Sequence, residues 1–458
     1  MGQERQNNQR ELDFRARGEG EARASGIEEA ETTVANVGNE SPRYGTELME
    51  EICKRTNIRE AMERVIKNGG APGVDGMYAS QLRGHLNKHW PSIRQALLEG
   101  SYRPLPVRGV EIPKPDGGKR LLGIPTVMDR VVQQAVLQVL QPKWDGTFSA
   151  HSHGFRPGHR QHDAILEAQQ YIAEGYTWVV DLDLEKFFDS VNHDRLMSQL
   201  AKRIGDKRLL KLIRSFLQSG AMSGGIVSVT EQGTPQGGPL SPFLSNIVLD
   251  ELDRELESRG HRFVRYADDC NIYVKTERAG ERVMDSVSRF ITRKLKLKVN
   301  TAKSAVARPE ERKFLGFTFR TVDDKLTRLI SDRSIERVRR RVRMLTARTR
   351  GKSLGNVIAG LNSYLNGWAG YYRFTEVLDQ LAKLDQWIRR RLRAYLWKQW
   401  KTRKRRCAEL IKLGVNRRLA KATAGSSKGC WPISHSKALD VALTKSYFVA
   451  AGLITLAQ

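Results

Sequence analysis

Cysteine is scarce in this chain, with 4 among 458 residues. Cys53, Cys270, Cys407 and Cys430 stand singly, so there is neither a C-x-x-C pair to begin a zinc site nor the density of a disulfide framework. No uninterrupted apolar run approaches the ~18 residues of a membrane span, and the N-terminus has no apolar leader. These absences predict a soluble protein of the reducing cytoplasm with no membrane partner. Acid is short too: 51 Asp and Glu face 78 Lys and Arg, a formal charge of +27. That balance disfavours a small neutral substrate and points to a polyanion, nucleic acid first.

The imbalance is local. Residues 1–50 hold 11 acidic and 6 basic side chains, whereas residues 331–430 hold 26 Lys and Arg against 6 Asp and Glu. Aromatics are interleaved with the positive charge there, which suits bases and phosphates together. Hydrophobic residues at 40% and charged ones at 28% fit a globular chain, and the length allows two to four units at roughly 150 residues each.

Residues 1–45 are polar, acidic and poor in aliphatics, the composition of a disordered tail. Helical periodicity runs from 46 to 86, broken by the Gly- and Pro-rich stretch 69–76. Residues 110–125 read as a β-hairpin with a basic, glycine-rich tip, and 127–141 as a buried helix. The β-branched run 178–184 predicts a strand that delivers acid at its C-terminal end. Residues 262–274 predict a hairpin with Asp268 and Asp269 at its turn, and 295–299 alternates like a strand. Beyond 325 the pattern is helical and basic, at 333–348, 355–373, 379–399 and 402–413.

A strand ending in Asp183 and a second β-element bearing Asp268 and Asp269 suit two-metal phosphoryl transfer, because carboxylates are hard oxygen ligands for Mg²⁺. An isolated Asp-Asp pair is more often an exposed turn; the surrounding motifs change its meaning. Tyr266-Ala267-Asp268-Asp269, Asp183-Leu184-Glu185-Lys186-Phe187-Phe188-Asp189 and Gly233-Thr234-Pro235-Gln236-Gly237-Gly238 together resemble the reverse transcriptases encoded by group II introns, also called maturases. The likeness runs from about Asn57 to the C-terminus and is closest to compact bacterial members that lack an endonuclease.

The resemblance implies an α+β fold: a right-hand polymerase with fingers and palm built from antiparallel sheet plus helices, followed by an all-α thumb or maturase region. The implied divisions are 1–45 tail, 46–105 N-terminal extension of the fingers, 106–325 fingers and palm, 326–398 thumb or maturase, and 399–458 basic DNA-binding region. By the same resemblance Asp183 and Asp268 ligate two Mg²⁺ ions, or Mn²⁺ in their place, with Asp269 beside them and the Leu184 carbonyl assisting. Asp181 is structural. Phe188 lies under the incoming sugar and excludes a 2′-hydroxyl, with Phe187 in the core, because neighbours on an extended segment face opposite ways. Lys114 and Arg120 grip the triphosphate, Gln236 touches the primer-template or the dNTP, Asp189 either orients the nucleotide or serves an exposed helix start, and Lys303 stands where polymerases hold a proton donor. Lys313-Phe314-Leu315-Gly316-Phe317 resembles the primer grip.

For nucleic-acid contact the resemblance singles out Arg156, Arg389, Arg390, Arg391 and Arg393, and the cluster Lys401, Arg403, Lys404, Arg405 and Arg406 towards target DNA. Tyr364, Trp368 and Tyr371 recur near helical spacing and belong to a core. Cys430 and His435 have no partners for a zinc-bearing nuclease, a departure from many relatives. The expected activity is copying of RNA into DNA from a DNA or RNA primer, joined to binding of intron RNA in splicing and retrotransposition. The alternatives are a splicing-only RNA-binding maturase and a reverse transcriptase adapted to host defence or diversification.

Overall fold

The computed structural model describes residues 44–113, 117–223, 226–228, 232–233, 237–349 and 351–457. The expected tail up to residue 43, Lys114 and Gln236 lie outside them, as does the side chain of Arg120. Two compact units emerge, one ending at Leu326 and one beginning at Thr327.

In the first unit, helix Val127–Asp145 begins where the Thr126 hydroxyl accepts the Asp129 N–H at 3.0 Å, a side-chain N-cap. Val131, Val132, Ala135, Val136 and Leu140 are buried along it. They share one core with Phe243, Leu244, Val248 and Leu252 of helix Ser241–Ser258. With strands numbered in chain order, one sheet joins β1 (Val107–Pro113), β2 (Lys119–Ile124), β4 (Ala221–Ser223) and β5 (Ile226–Ser228) in the order β2-β1-β4-β5. This contains the expected hairpin, with Ile112 opposite Arg120.

The second sheet joins β3 (Trp178–Leu182), β6 (Arg262–Tyr266), β7 (Asp269–Val274) and β8 (Ala305–Ala307) in the order β6-β7-β3-β8, antiparallel throughout. Helix Glu277–Phe290 packs closely on it, since a Cβ at Gly280 would lie 2.5 Å from Val306 and 3.4 Å from Val274. Strands β9 (Phe317–Val322) and β10 (Lys325–Ile330) form a ribbon.

The strand expected at 295–299 does not form. The helix before it widens into a π-turn at Ile291–Leu295, and Lys296 turns left-handed at φ 59°. The alternation Leu295, Leu297, Val299 arises from burying Leu295 and Leu297 in the core around that turn. Val299 makes an isolated bridge to Leu184.

The second unit is helical: Asp332–Leu345, Leu354–Tyr372, Leu378–Gln399, Arg403–Lys412 and Arg417–Ala424, followed by three short helices. The first four lie close to the stretches that periodicity gave. Val338, Leu361, Leu365, Leu384, Ile388 and Leu392 are buried between them. Near the chain's end the Asp385 carboxylate accepts the N–H groups of Leu456 and Ala457 at 3.0 and 3.2 Å. Among the described residues no helix is long and apolar enough to cross a membrane, and all four cysteines are free thiols.

Candidate active site

Register brings the acids to one end of a sheet. Strand β3 pairs with β7 so that Asp181 faces Asn271 and Leu182 faces Cys270, and Asp183 follows at the strand's end. Strand β6 pairs with β7 so that Tyr266 faces Asp269, which leaves Ala267 and Asp268 as a two-residue turn. Ala267 adopts φ 59°, a region that costs an alanine on the order of 1 kcal/mol or more, so the surroundings impose this turn. Asp268 is exposed at its tip, with Asp269 half-buried behind it.

Asp183 is fixed at its backbone: its N–H donates to Ser304 Oγ at 3.0 Å and its carbonyl accepts Asn300 N–H at 2.8 Å. The Glu185 N–H likewise bonds the Lys298 carbonyl at 2.8 Å. Because alternate residues of a strand present their backbone groups to opposite edges, the carbonyl of Leu184 between them faces the β7 side. The Lys303 ammonium stands 3.7 Å from Asp183 Oδ2.

The field around these acids is negative. Burial, together with the charges of Asp181 and Asp268, pushes the Asp269 carboxyl up to about 7, opposed by Lys313. Burial also raises Asp181, against the pull of Arg312, which holds Asp181 Oδ2 at 2.6 and 2.9 Å. Asp181 is thus an ion-paired partner of Arg312. Crowded carboxylates without imidazole or thiol form a donor set for hard divalent cations. They are not a closed cage: among the described residues no three acidic, His or Cys groups converge tightly enough to hold an ion as they stand.

Phe187 and Phe188 lie on a short helix, Phe187–Ser190, and not on an extended segment. The outcome matches the expectation for a different reason: residues 100° apart on a helix also diverge, leaving Phe187 buried and Phe188 partly exposed. Asp189 is exposed beside it. Gly233 packs against this turn, since a Cβ there would lie 2.9 Å from the Asp189 Cα and the Phe188 carbonyl. The loop Gly237-Gly238 also approaches backbone closely, 2.6 Å separating a Gly237 Cβ from the Gly123 carbonyl.

Arg156 corrects an expectation. Its side chain is 6% exposed, pairs with Asp145 at 3.0 Å and donates to the carbonyls of Ser149, Ser152 and Asp145 at 2.6–2.8 Å. A guanidinium so engaged pins a turn and has no donor to offer a template. Arg390, Arg391 and Arg393 are also largely turned inward. Arg390 lies 4.1 Å over the Trp431 ring, Arg391 bonds Thr346 Oγ1 at 3.0 Å, and Arg393 bonds the Leu443 carbonyl at 3.0 Å and pairs with Asp440. Arg406 likewise donates to the Trp400 carbonyl at 2.8 Å. Arg389 is half-buried, while Lys401, Arg403, Lys404 and Arg405 are exposed. Trp368 is buried and stacks on Tyr372, with Tyr364 and Tyr371 half-buried.

Sequence reasoning missed Arg265, Asp253 and Asn246, all buried under the acidic hairpin. A basic residue inside the otherwise apolar run Phe263-Val264-Arg265-Tyr266 was the available signal.

Residues 112–319 match the reverse transcriptase (RNA-dependent DNA polymerase) family, and residues 335–410 match the group II intron, maturase-specific domain. The chain is 39% identical over 208 residues to Protein YkfC of Escherichia coli (strain K12), covering 44% of this chain and 55% of that protein. It is 36% identical over 195 residues to the group II intron-encoded protein LtrA of Lactococcus lactis subsp. cremoris, covering 42% of this chain and 32% of LtrA. A putative COX1/OXI3 intron 2 protein of Saccharomyces cerevisiae is 35% identical over 187 residues, covering 41% of this chain and 21% of that one. The matches therefore span about half the length of the first relative and less of the others.

Proposed function

This chain joins a reverse transcriptase domain to a group II intron maturase-specific domain, and from that premise we propose that it is an RNA-directed DNA polymerase. It copies RNA from a DNA or RNA primer with dNTPs, and its helical unit binds the RNA of its own group II intron to assist splicing and movement into target DNA. The observation that carries the polymerase reading is the register of β3, β6 and β7, which gathers Asp183, Asp268 and Asp269 at one sheet end inside the matched residues.

Reverse transcriptase domains generally use divalent metal ions. Asp183, Asp268, Asp269 and the Leu184 carbonyl would hold them here, two Mg²⁺ or Mn²⁺ in their place. The chemistry supplied by bound ions is acidification of the primer 3′-hydroxyl and neutralisation of the leaving pyrophosphate. Lys303, whose ammonium stands 3.7 Å from Asp183 Oδ2, would give a proton to that pyrophosphate. Phe188 limits the space at the sugar, Asp189 orients the nucleotide, and Lys114, Arg120 and Gln236 are assigned to the triphosphate and primer-template by motif alone.

The test is primer extension on an RNA template with dNTPs and Mg²⁺, using the full chain. Extension that is abolished by chelator and absent from an Asp183→Asn variant is expected. A folded, RNA-binding sample that extends nothing refutes the polymerase reading and leaves a splicing-only maturase.

A further inference from the structure

Beneath the acidic turn lies a closed polar network. The side chains of Arg265 and Asp253 are both 0% exposed and paired through two bonds, Nε to Oδ1 at 2.7 Å and a terminal nitrogen to Oδ2 at 2.5 Å. The remaining guanidinium donors reach Ser152 Oγ at 2.6 Å, Asn246 Oδ1 at 3.1 Å and the Ala267 carbonyl at 2.9 Å. All five N–H groups are therefore engaged. Asn246 in turn donates to the Gly154 carbonyl at 2.8 Å. Gly154 also presses on the turn: a Cβ there would overlap the Ala267 nitrogen and lie 2.9 Å from the Tyr266 carbonyl carbon. The backbone of Arg265 is held as well, its N–H by the His151 carbonyl and its own carbonyl by the His153 N–H, each at 2.9 Å.

We propose that Arg265 is a positioning residue: closed on Asp253, it holds the Ala267 carbonyl and so sets the direction in which Asp268 leaves the turn. The peptide that begins at that carbonyl ends at the Asp268 nitrogen, and a planar peptide transmits orientation across itself. Stability alone is a weak reason for the arrangement, because a buried ion pair is often replaceable by apolar residues without loss. A turn that places an alanine at φ 59° needs outside support, which the Arg265 hydrogen bond and the close packing of Gly154 supply. The inference rests on the metal-ligand assignment of Asp268 and adds the residues that aim it.

The experiment pairs Arg265→Met with Asp253→Leu in the full chain, removing both charges at similar volume. Thermal midpoint, RNA affinity, Mn²⁺ binding by electron paramagnetic resonance without nucleic acid, and the Mg²⁺ dependence of primer extension are measured. Expected are retained folding and RNA affinity, Mn²⁺ binding weakened about tenfold, the usual size when the support behind a metal ligand is removed, and a parallel rise in the Mg²⁺ needed for half-maximal extension. A folded double variant with wild-type Mn²⁺ affinity overturns the proposal.

If the double variant does not fold, Arg265→Lys reads the same quantity, since an ammonium can pair with Asp253 but cannot also hold Ala267 through a fork. Unchanged Mn²⁺ affinity there overturns it equally. Ser152→Ala, which removes a partner lying off the turn, is expected to lower the thermal midpoint without moving Mn²⁺ affinity. A Mn²⁺ shift as large as that of the Arg265 variants would reduce Arg265 to general packing and overturn the proposal. A wild-type chain that binds Mn²⁺ but extends nothing refutes the polymerase reading while the positioning test still reads out. One that binds no Mn²⁺ sinks both.

Discussion

The two units hold their arginines differently. Up to Leu326 several arginines are paired with acids, Asp253 for Arg265, Asp181 for Arg312, Asp145 for Arg156, and Glu50 with Asp206 for Arg208, whereas Arg130 and Arg203 meet carbonyls, hydroxyls and rings. From Thr327 onward carbonyls and rings take a larger part. Arg373 donates to the Leu456 and Thr455 carbonyls, Arg406 to the Trp400 carbonyl while lying over Trp397, and Arg390 lies over Trp431, beside the acid pairs of Arg393 with Asp440, Arg343 with Glu336, Arg328 with Glu376 and Arg405 with Glu409. A carboxylate cancels the charge that it satisfies. A carbonyl or an aromatic face satisfies geometry and leaves the full positive charge. The second unit thus keeps an outward positive field even from guanidinium groups it has half-buried. Burial, with Arg348 and Arg343 close by, draws Arg391 below its usual value. An arginine there would add to the attraction of a polyanion without touching phosphate.

The sharpest way to break this division is Asp268→Ala. If chemistry belongs to the first unit and polyanion binding to the field of the second, primer extension falls by at least ~1,000-fold, the scale on which transition-state charge stabilisation is lost. Affinity for intron RNA, measured by filter binding at fixed salt, stays within about twofold of wild type, because loss of one exposed acid in so basic a chain is a small electrostatic change. Joint loss of both activities contradicts the division.

Next in size is the contrast between exposed and internal cations. Converting Lys401, Arg403, Lys404 and Arg405 together to Gln is expected to lower the slope of log affinity against log salt by about 3 units, roughly 0.7–0.9 for each phosphate no longer neutralised. Arg390→Gln is expected to change that slope by less than about one unit and to lower the thermal midpoint through loss of the stack on Trp431. Equal slopes from the two variants would erase the distinction between direct phosphate binding and field.

A smaller effect separates geometry from charge within the first unit. Phe188→Ala opens the space beside a partly exposed ring without altering any ion pair, so ribonucleotide incorporation relative to deoxynucleotide is expected to rise by about tenfold or more, from an energy of ~1–3 kcal/mol per misfit group. Single-nucleotide incorporation kinetics measure it. An unchanged ratio removes Phe188 from sugar selection.

Much of this was legible because the determinants are local. The four basic helices announce themselves by periodicity, and the hairpin by β-branched runs around two acids. The acids' convergence follows from strand order and register. What escaped depends on partners distant in sequence. Arg265 meets Ser152 across 113 residues and Asp253 across 12, and no local pattern marks either pairing. Arg156 and Arg390 look like free cations in sequence; only the fold shows that Asp145 and Trp431 meet them. The run 295–299 misled because its alternation comes from burying Leu295 and Leu297 around a π-turn, which a local pattern cannot tell from a strand.

The mildest prediction concerns the segment that covers the edge of β6. His151 and His153, whose backbone groups bond Arg265, both pair with Glu167, which also accepts the Tyr171 hydroxyl at 2.7 Å. Burial pushes the Glu167 carboxyl up, but the hydrogen bonds from His151, His153 and Tyr171 outweigh it and bring it down to about 2 from 4.5. The bond to Glu167 raises His151 above 6.5, against burial. A lowered acid stabilises above its unfolded value and loses that contribution as pH falls toward about 2. A raised histidine stabilises below 6.5 and loses its contribution as pH climbs through its folded value. Both contributions are present together only between about 4.5 and 6.5. Glu167→Gln is therefore expected to lower unfolding free energy by about 1 kcal/mol in that window, with the deficit shrinking on the alkaline side as His151 deprotonates. Urea unfolding at pH 5.5 and 8.5 measures it, and a deficit that does not shrink toward pH 8.5 would mean that Glu167 acts through hydrogen bonds that need no charge on His151.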